Sequence, residues 1–315
     1  MSVIKVRDIA FGRLQAPDLD AEEEFLTNFG MIRQERTPKA LYMRGTGPSH
    51  HLHVTHLGNS PCLIGFAYWA KSEDDLKTVA KAPGASGIEN LDEPGGGKRV
   101  RLTEPNGYQI EVVWGIAPVP PIQVSRQPIN WRDSLYERTG DLMRLKPGPS
   151  HVKRIGHGVL GAPDVKTTVK WFRETLGMVR SDDVYAGDKD NIVGAFSRCD
   201  NGDDYVDHHV FFCAKNPKAG LNHLSYEVED IDDVCMGHDY LQQHGYEHMW
   251  GIGRHVLGSQ VFDYWQDPWG RVHEHWTDTD MLNCDNPPNL ISAEEGLNSQ
   301  WGDRAPEEFI AHCTP

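Results

Sequence analysis

In residues 153–277 the spacing of apolar positions switches repeatedly between a period of two and a helical period. Residues 153–162 suit a strand. From Asp164, Val165, Val169, Phe172 and Leu176 recur at helical spacing, so one face of a helix packs inward. Asp164 is placed to cap its start and Gly177 to stop it. Short β-rich runs follow at 192–198 and 208–214. A strand over Leu221–Val228 leads into a helix from about Asp230 to His244. A hairpin closes the segment: Gln260–Gln266, the turn Asp267-Pro268-Trp269-Gly270, then Arg271–Thr277. Pro at the second and Gly at the fourth turn position mark a type I turn. The pattern predicts two consecutive βαβββ units.

The same pattern occurs earlier in the chain. Residues 9–19 (IAFGRLQAPDL) and 155–165 (IGHGVLGAPDV) share the skeleton I-x-x-G-x-L-x-A-P-D-[LV], and both continue into a helical stretch ending in FGM or LGM. His50-His51-Leu52 aligns with His208-His209-Val210. Glu104-Pro105-Asn106-Gly107 followed by Glu111 aligns with Asp267-Pro268-Trp269-Gly270 followed by Glu274. The offset grows along the chain, as insertions in loops would make it. We therefore expect an α+β protein of two tandem modules, residues 1–135 and 150–285, each a pair of βαβββ units forming an open, barrel-like sheet. The Pro-rich Ala117–Pro121 reads as a linker. The Asn/Pro-rich tail 286–315 reads as irregular, and its apolar Leu290, Ile291, Leu297 and Trp301 suit a lid over the second module.

Composition narrows the function classes. The 315 residues carry a formal charge of −15, which disfavours nucleic acid and anionic membranes as partners. No run approaches the roughly 20 apolar residues of a membrane span, and MSVIKVRDIA lacks a signal-peptide core. Six scattered cysteines with no CxxC pair read as reduced, mostly buried thiols of a cytoplasmic protein. The unusual number is 16 histidines, concentrated in the second half.

Strand parity sorts these histidines. A mononuclear metal needs ligands on rigid elements that share one face. The first strand of the second module offers His157, the strand opening its second unit offers His223, and the last hairpin strand offers Glu274. His273 and His275 fall on the opposite face and read as surface or supporting residues. The first module has Phe11, Gly65 and Glu111 at the matching positions, so two of three ligands are missing there. The asymmetry assigns the site to the second copy and makes Glu111 a remnant. Two His and one carboxylate with open positions suit the facial triad of non-haem Fe(II) oxygenases.

The stretch His255-Val-Leu-Gly-Ser-Gln-Val-Phe-Asp-Tyr264-Trp-Gln-Asp-Pro-Trp-Gly-Arg-Val-His-Glu274 has the form H-x8-Y-x2-D-P-x-G-x3-E. In this pattern, and in its two-module length, the chain resembles the type I extradiol catechol dioxygenases of the vicinal oxygen chelate (glyoxalase/bleomycin-resistance/dioxygenase) superfamily. The resemblance implies His157, His223 and Glu274 as metal ligands, His209 as the acid–base histidine, and His255 with Tyr264 as the substrate-binding pair. A neutral imidazole can deliver and retrieve a proton near neutral pH. His208 and His209 should point to opposite faces, with His209 inward. Some relatives carry a second His before the second ligand, where this chain has Asn222.

The activity so implied is meta cleavage of a catechol or alkylcatechol by O2, with Fe(II) as cofactor and Mn(II) accepted by the same ligands. Val159 and Leu257 suggest an apolar pocket. The family is commonly oligomeric, which implies a homo-oligomer. Trihydroxylated aromatics, larger bicyclic diols and carboxylated catechols are alternatives as substrates. A glyoxalase-type metal isomerase and a metal-independent sequestration protein are the rivals within the same superfamily.

Overall fold

The computed structural model describes residues 2–130 and 135–315. The first module runs β1 (Val6–Ala16), α1 (Leu19–Asn28), β2 (Ile32–Arg36), β3 (Ala40–Arg44), β4 (His53–Leu57), then β5 (Cys62–Ala70), α2 (Glu73–Val79), β6 (Glu89–Asn90), β7 (Lys98–Thr103) and β8 (Gln109–Trp114). The second runs β9 (Arg154–Ala162), α3 (Val165–Leu176), β10 (Val179–Tyr185), β11 (Ile192–Arg198), β12 (Val206–Asp207) and β13 (Phe211–Lys215). It continues through β14 (Gly220–Glu227), α4 (Ile231–Gln243), β15 (His248–His255), β16 (Val261–Gln266), β17 (Val272–Thr277) and β18 (Met281–Leu282). The tail adds β19 (Asn289–Ser292), α5 (Ala293–Gly296), β20 (Ser299–Trp301) and α6 (Glu307–Ala311).

The four βαβββ units repeat one wiring. The first strand of each unit pairs in parallel with its last: β1 with β4, β5 with β8, β9 with β13, β14 with β17. Within each module the two opening strands meet antiparallel at the centre, β1 with β5 and β9 with β14. This gives sheets ordered β2-β3-β4-β1-β5-β8-β7-β6 and β19-β10-β11-β13-β9-β14-β17-β16-β15-β20. The vicinal oxygen chelate architecture read from the sequence is thus the one observed. Local chemistry starts the helices where expected. The Asp164 carboxylate accepts from Thr167 N–H, Gly177 ends α3 at φ 71°, and Asp230 caps α4 through Asp233 N–H.

The central strands of the second sheet are buried on both faces. Leu224 and Tyr226 of β14 face the first module, where the Leu224 side chain lies against Gly12 and the Tyr226 hydroxyl is 2.7 Å from His53 Nδ1. Arg271 fastens the same interface. It donates to Asp267 at 2.5 Å and to Glu22 at 2.8 Å in a buried setting, and to the Gln15 carbonyl at 2.9 Å.

Several expectations need correction. His273 and His275 are neither surface nor supporting residues of the site. Both are fully buried in the module interface; His275 stacks on Phe29 at 3.7 Å and donates to its carbonyl at 2.6 Å. The face of β17 opposite the site is covered by the other module, which strand parity alone does not reveal. The tail is not irregular: β19 adds in parallel to β10 and β20 antiparallel to β15, at the two edges of the sheet. Only Cys199 and Cys213 of the six free thiols are buried, while Cys235 and Cys284 are exposed. His208 and His209 lie in the turn before β13, not in a strand, and their rings touch instead of diverging. The stretches Val179–Tyr185 and His248–His255 are strands that the sequence pattern did not signal. Among the described residues, no helix is long and apolar enough to cross a membrane.

Candidate metal centre and cavity

Three adjacent strands, β9, β14 and β17, bring His157, His223 and Glu274 together. In register, Ser225 sits opposite both His157 and Glu274, and His223 lies one pleat along on the same face. Glu274 Oε2 is 3.0 Å from His157 Nε2 and 3.5 Å from His223 Nε2, and the two imidazole nitrogens are 3.3 Å apart. Bonds of about 2.1 Å to one ion place ligand atoms roughly 3.0 Å apart at right angles and roughly 3.4 Å at tetrahedral angles. The spacing fits a single divalent ion.

The hydrogen bonds around the triad agree. Asn222 gives both amide protons to carbonyls, His312 at 2.9 Å and Phe309 at 3.3 Å. Its Oδ1 must therefore accept from His223 Nδ1, 2.7 Å away. The proton is then on Nδ1, and the Nε2 lone pair points into the triad, as ligation requires. Ser225 Oγ donates to Glu274 Oε2, while Glu274 Oε1 and His157 Nδ1 are buried without a hydrogen-bond partner. Burial opposes ionisation of Glu274, but the His157 and His255 rings outweigh it and hold the carboxyl well below its usual range. Burial likewise drives His223 down to about 3, so the ring is neutral. Two imidazoles and an ionised carboxylate form a donor set that can hold a divalent cation.

Around this triad lies a cavity of about 370 Å³. His209, His255 and Tyr264 all line it, as do Val159 and Leu257. Tyr264 is paired directly with Glu274 across the hairpin, and its hydroxyl shares a 2.9 Å hydrogen bond with His255 Nε2. His255 is held flat on Phe262, ring centroids 3.9 Å apart. Burial raises Tyr264 well above its normal range and keeps its proton in place, and burial lowers His255. The His209 ring lies 4.1 Å from that of His157, with its ionisation pushed well down by burial and by the His157 and His208 rings.

Asp182 and His208 were not read as functional from the sequence. His208 Nε2 donates to Asp182 at 2.6 Å, leaving its Nδ1 to accept from His209 Nδ1 at 3.0 Å. This chain leaves His209 Nε2 as the free basic nitrogen. His50 and His51 of the first module keep the same ring contact, Nδ1 to Nδ1 3.1 Å. Glu111 there is neutralised by Arg13 at 2.5 Å and Arg99 at 3.2 Å, so that copy offers no ligand set. The tail supplies cavity wall through Ala293, Leu297, Phe309 and Ile310. A second His/His/Asp grouping lies on the far side of β16. There His238, His248 and the Trp265 indole all donate to the buried Asp263 carboxylate.

Residues 154–274, the segment that carries the triad, match the Glyoxalase/Bleomycin resistance protein/Dioxygenase superfamily. Over its whole length the chain is similar to Metapyrocatechase 2 of Cupriavidus necator, 28% identical across 97% of this chain and 92% of that protein. It is also similar to the manganese-dependent 2,3-dihydroxybiphenyl 1,2-dioxygenase of Geobacillus genomosp. 3, 23% identical across 81% and 79%. Among solved structures, homoprotocatechuate 2,3-dioxygenase from Brevibacterium fuscum superposes with a TM-score of 0.81 at 17% identity, covering 99% of this chain and 94% of that one. A Mn(II)-bound glyoxalase from Novosphingobium aromaticivorans gives 0.79 at 24% identity, covering 99% and 96%. The resemblance to extradiol ring-cleaving dioxygenases is borne out by these relatives, and the solved structures share the fold.

Proposed function

We propose that the protein is an extradiol dioxygenase that cleaves a neutral catechol or alkylcatechol beside its diol and places both atoms of O2 in the ring-opened product. Residues 150–285 carry the catalysis, residues 1–135 serve as scaffold, and the tail 286–315 closes the cavity. His157, His223 and Glu274 are the ligands of Fe(II), with Mn(II) accepted by the same set. The bound metal supplies positions at which the diol oxygens and O2 are held side by side.

The carrying observation is that the triad shares one cavity with His209, His255 and Tyr264, a combination that metal isomerisation does not need. Tyr264 and His255 offer a hydroxyl and an imidazole to the substrate oxygens and orient the diol. His209 Nε2, freed by the His208–Asp182 chain, takes up and returns the proton that moves as the ring opens. The wall is largely apolar, from Val159, Phe196, Phe212, Leu257 and Leu297. Lys215, the one lysine or arginine lining the cavity among the described residues, is bonded to the Pro163 carbonyl. A substrate without a carboxylate suits such a wall. A cytoplasmic location, which rests on the scattered reduced cysteines, and a homo-oligomer, which rests on the family resemblance, are part of the same reading.

The test is O2 uptake by Fe(II)-reconstituted protein with catechol and 3-methylcatechol. One O2 consumed per yellow ring-opened product is expected. Isomerisation or tight binding without O2 uptake would sink the reading.

A further inference from the structure

A side-chain amide in the cavity is left without a partner on either of its polar atoms. Gln260 is almost fully buried and lines the cavity, yet neither its Nε2 nor its Oε1 has a hydrogen-bond partner in the protein. Burying a primary amide unpaired is costly, because each group loses its bonds to water and gains none in return. The cost is avoided when a bound molecule supplies the missing bonds.

The surroundings aim this amide. Gln260, Phe262 and Tyr264 alternate onto one face of the chain entering β16, and the Gln260 carbonyl accepts from His255 N–H at 2.9 Å. Gly258, at φ +82°, makes room: a Cβ there would come within 2.4 Å of Gln260 Oε1 and 3.2 Å of His208 Nδ1. The amide therefore sits toward the His208–His209 side of the cavity, away from Phe309 and Trp250, which pack on Tyr264.

We propose that Gln260 is a specificity residue, whose amide hydrogen-bonds a neutral polar group (a hydroxyl, carbonyl or amide) that the aromatic diol carries beyond its two vicinal hydroxyls. The proposal rests on the ring-cleaving reading above and refines its substrate class. A primary amide offers both a donor and an acceptor, so it matches a hydroxyl or carbonyl and gives no advantage to an alkyl group of the same size. A site built around such a bond discriminates strongly against the analogue that lacks it, because the amide is then buried unpaired.

The experiment compares wild type with Gln260→Met, which keeps the volume and removes the amide, and with Gln260→Asn, which keeps the amide on a shorter stem. Pairs of diols differing only by hydroxyl for methyl, at ring position 3 and at position 4, are the probes. Two readouts are taken: kcat/KM in air, and anaerobic binding followed by intrinsic tryptophan fluorescence, to which the cavity residue Trp250 contributes. The wild type should favour the hydroxylated member of at least one pair by about tenfold or more, in both readouts. Gln260→Met should lose that preference through weaker binding of the hydroxylated member, with the methyl compound unchanged or improved, and Gln260→Asn should keep part of it. If Gln260→Met shifts both members of every pair equally, or shifts neither, the proposal is overturned. Because binding is read without turnover, failure of all diols to react would count against the dioxygenase reading and leave this test standing.

Discussion

Asn222 joins two functions that a pair of substitutions can separate. Its Oδ1 accepts from His223 Nδ1 at 2.7 Å, and its Nδ2 donates to the carbonyls of His312 and Phe309. Removing the outer partner of a ligating imidazole typically costs ~10–100-fold in metal affinity, because ring orientation and tautomer are then free. Each lost bond to a tail carbonyl is worth about 1 kcal/mol. Two of them are about 2 kcal/mol, or roughly 30-fold in the equilibrium that holds the tail over the cavity. Asn222→Ala should lose both. Asn222→Asp keeps an acceptor for His223 but turns a carboxylate oxygen toward two carbonyls, so it should bind metal at least as well as wild type while releasing the tail. Metal affinity is measured by competition with a chromophoric chelator, and tail release by limited proteolysis within residues 305–315. Metal loss in Asn222→Asp equal to that in Asn222→Ala would refute the reasoning, as would full affinity in Asn222→Ala.

Three further outcomes are expected. His209→Phe should retain its metal and still bind catechol while kcat falls by ~10²–10⁴-fold; metal lost in proportion to activity would make His209 a ligand or a prop. Arg271→Met should destabilise the protein by about 3–5 kcal/mol in urea unfolding, because it strands the Glu22 and Asp267 carboxylates in a buried interface; a change under 1 kcal/mol would show that the interface rehydrates. His238 is raised above 6.5, chiefly by its hydrogen bond to Asp263. A raised folded-state value contributes stability that is complete below the unfolded value of 6.5 and fades as pH rises through the folded one. The Tm gap between wild type and His238→Gln should therefore be larger at pH 6 than at pH 8.5, and a gap independent of pH would contradict the charge pairing.

Much of this site was legible before any coordinates, and the reason is local. The repeated I-x-x-G-x-L-x-A-P-D skeleton and the Asp-Pro-x-Gly turn encode the unit boundaries. Strand parity separates Glu274 from His273 and His275, and the comparison with the first module, together with the family resemblance, singles out His157 and His223. What escaped depends on neighbours distant in sequence. His273 and His275 look like surface residues until the first module, through Phe25, Phe29 and His53, covers their face. The strand His248–His255 contains two glycines and no alternation, and it is held by pairing with β16. Asn289–Ser292 and Ser299–Trp301 become strands because exposed sheet edges offer them partners. The role of Asp182 depends on the approach of β10 to the turn that carries His208, which no spacing in the sequence encodes.

The central claim is that this site opens an aromatic ring with molecular oxygen. The most direct measurement is the isotopic composition of the product formed from 3-methylcatechol under ¹⁸O₂ by Fe(II)-reconstituted protein, with the His157→Ala protein as control. The account predicts that the ring-opened product, quenched before its aldehyde or ketone oxygen exchanges with water, carries two ¹⁸O atoms, and that the control forms none. Product carrying no ¹⁸O, or equal turnover by the control, would contradict it.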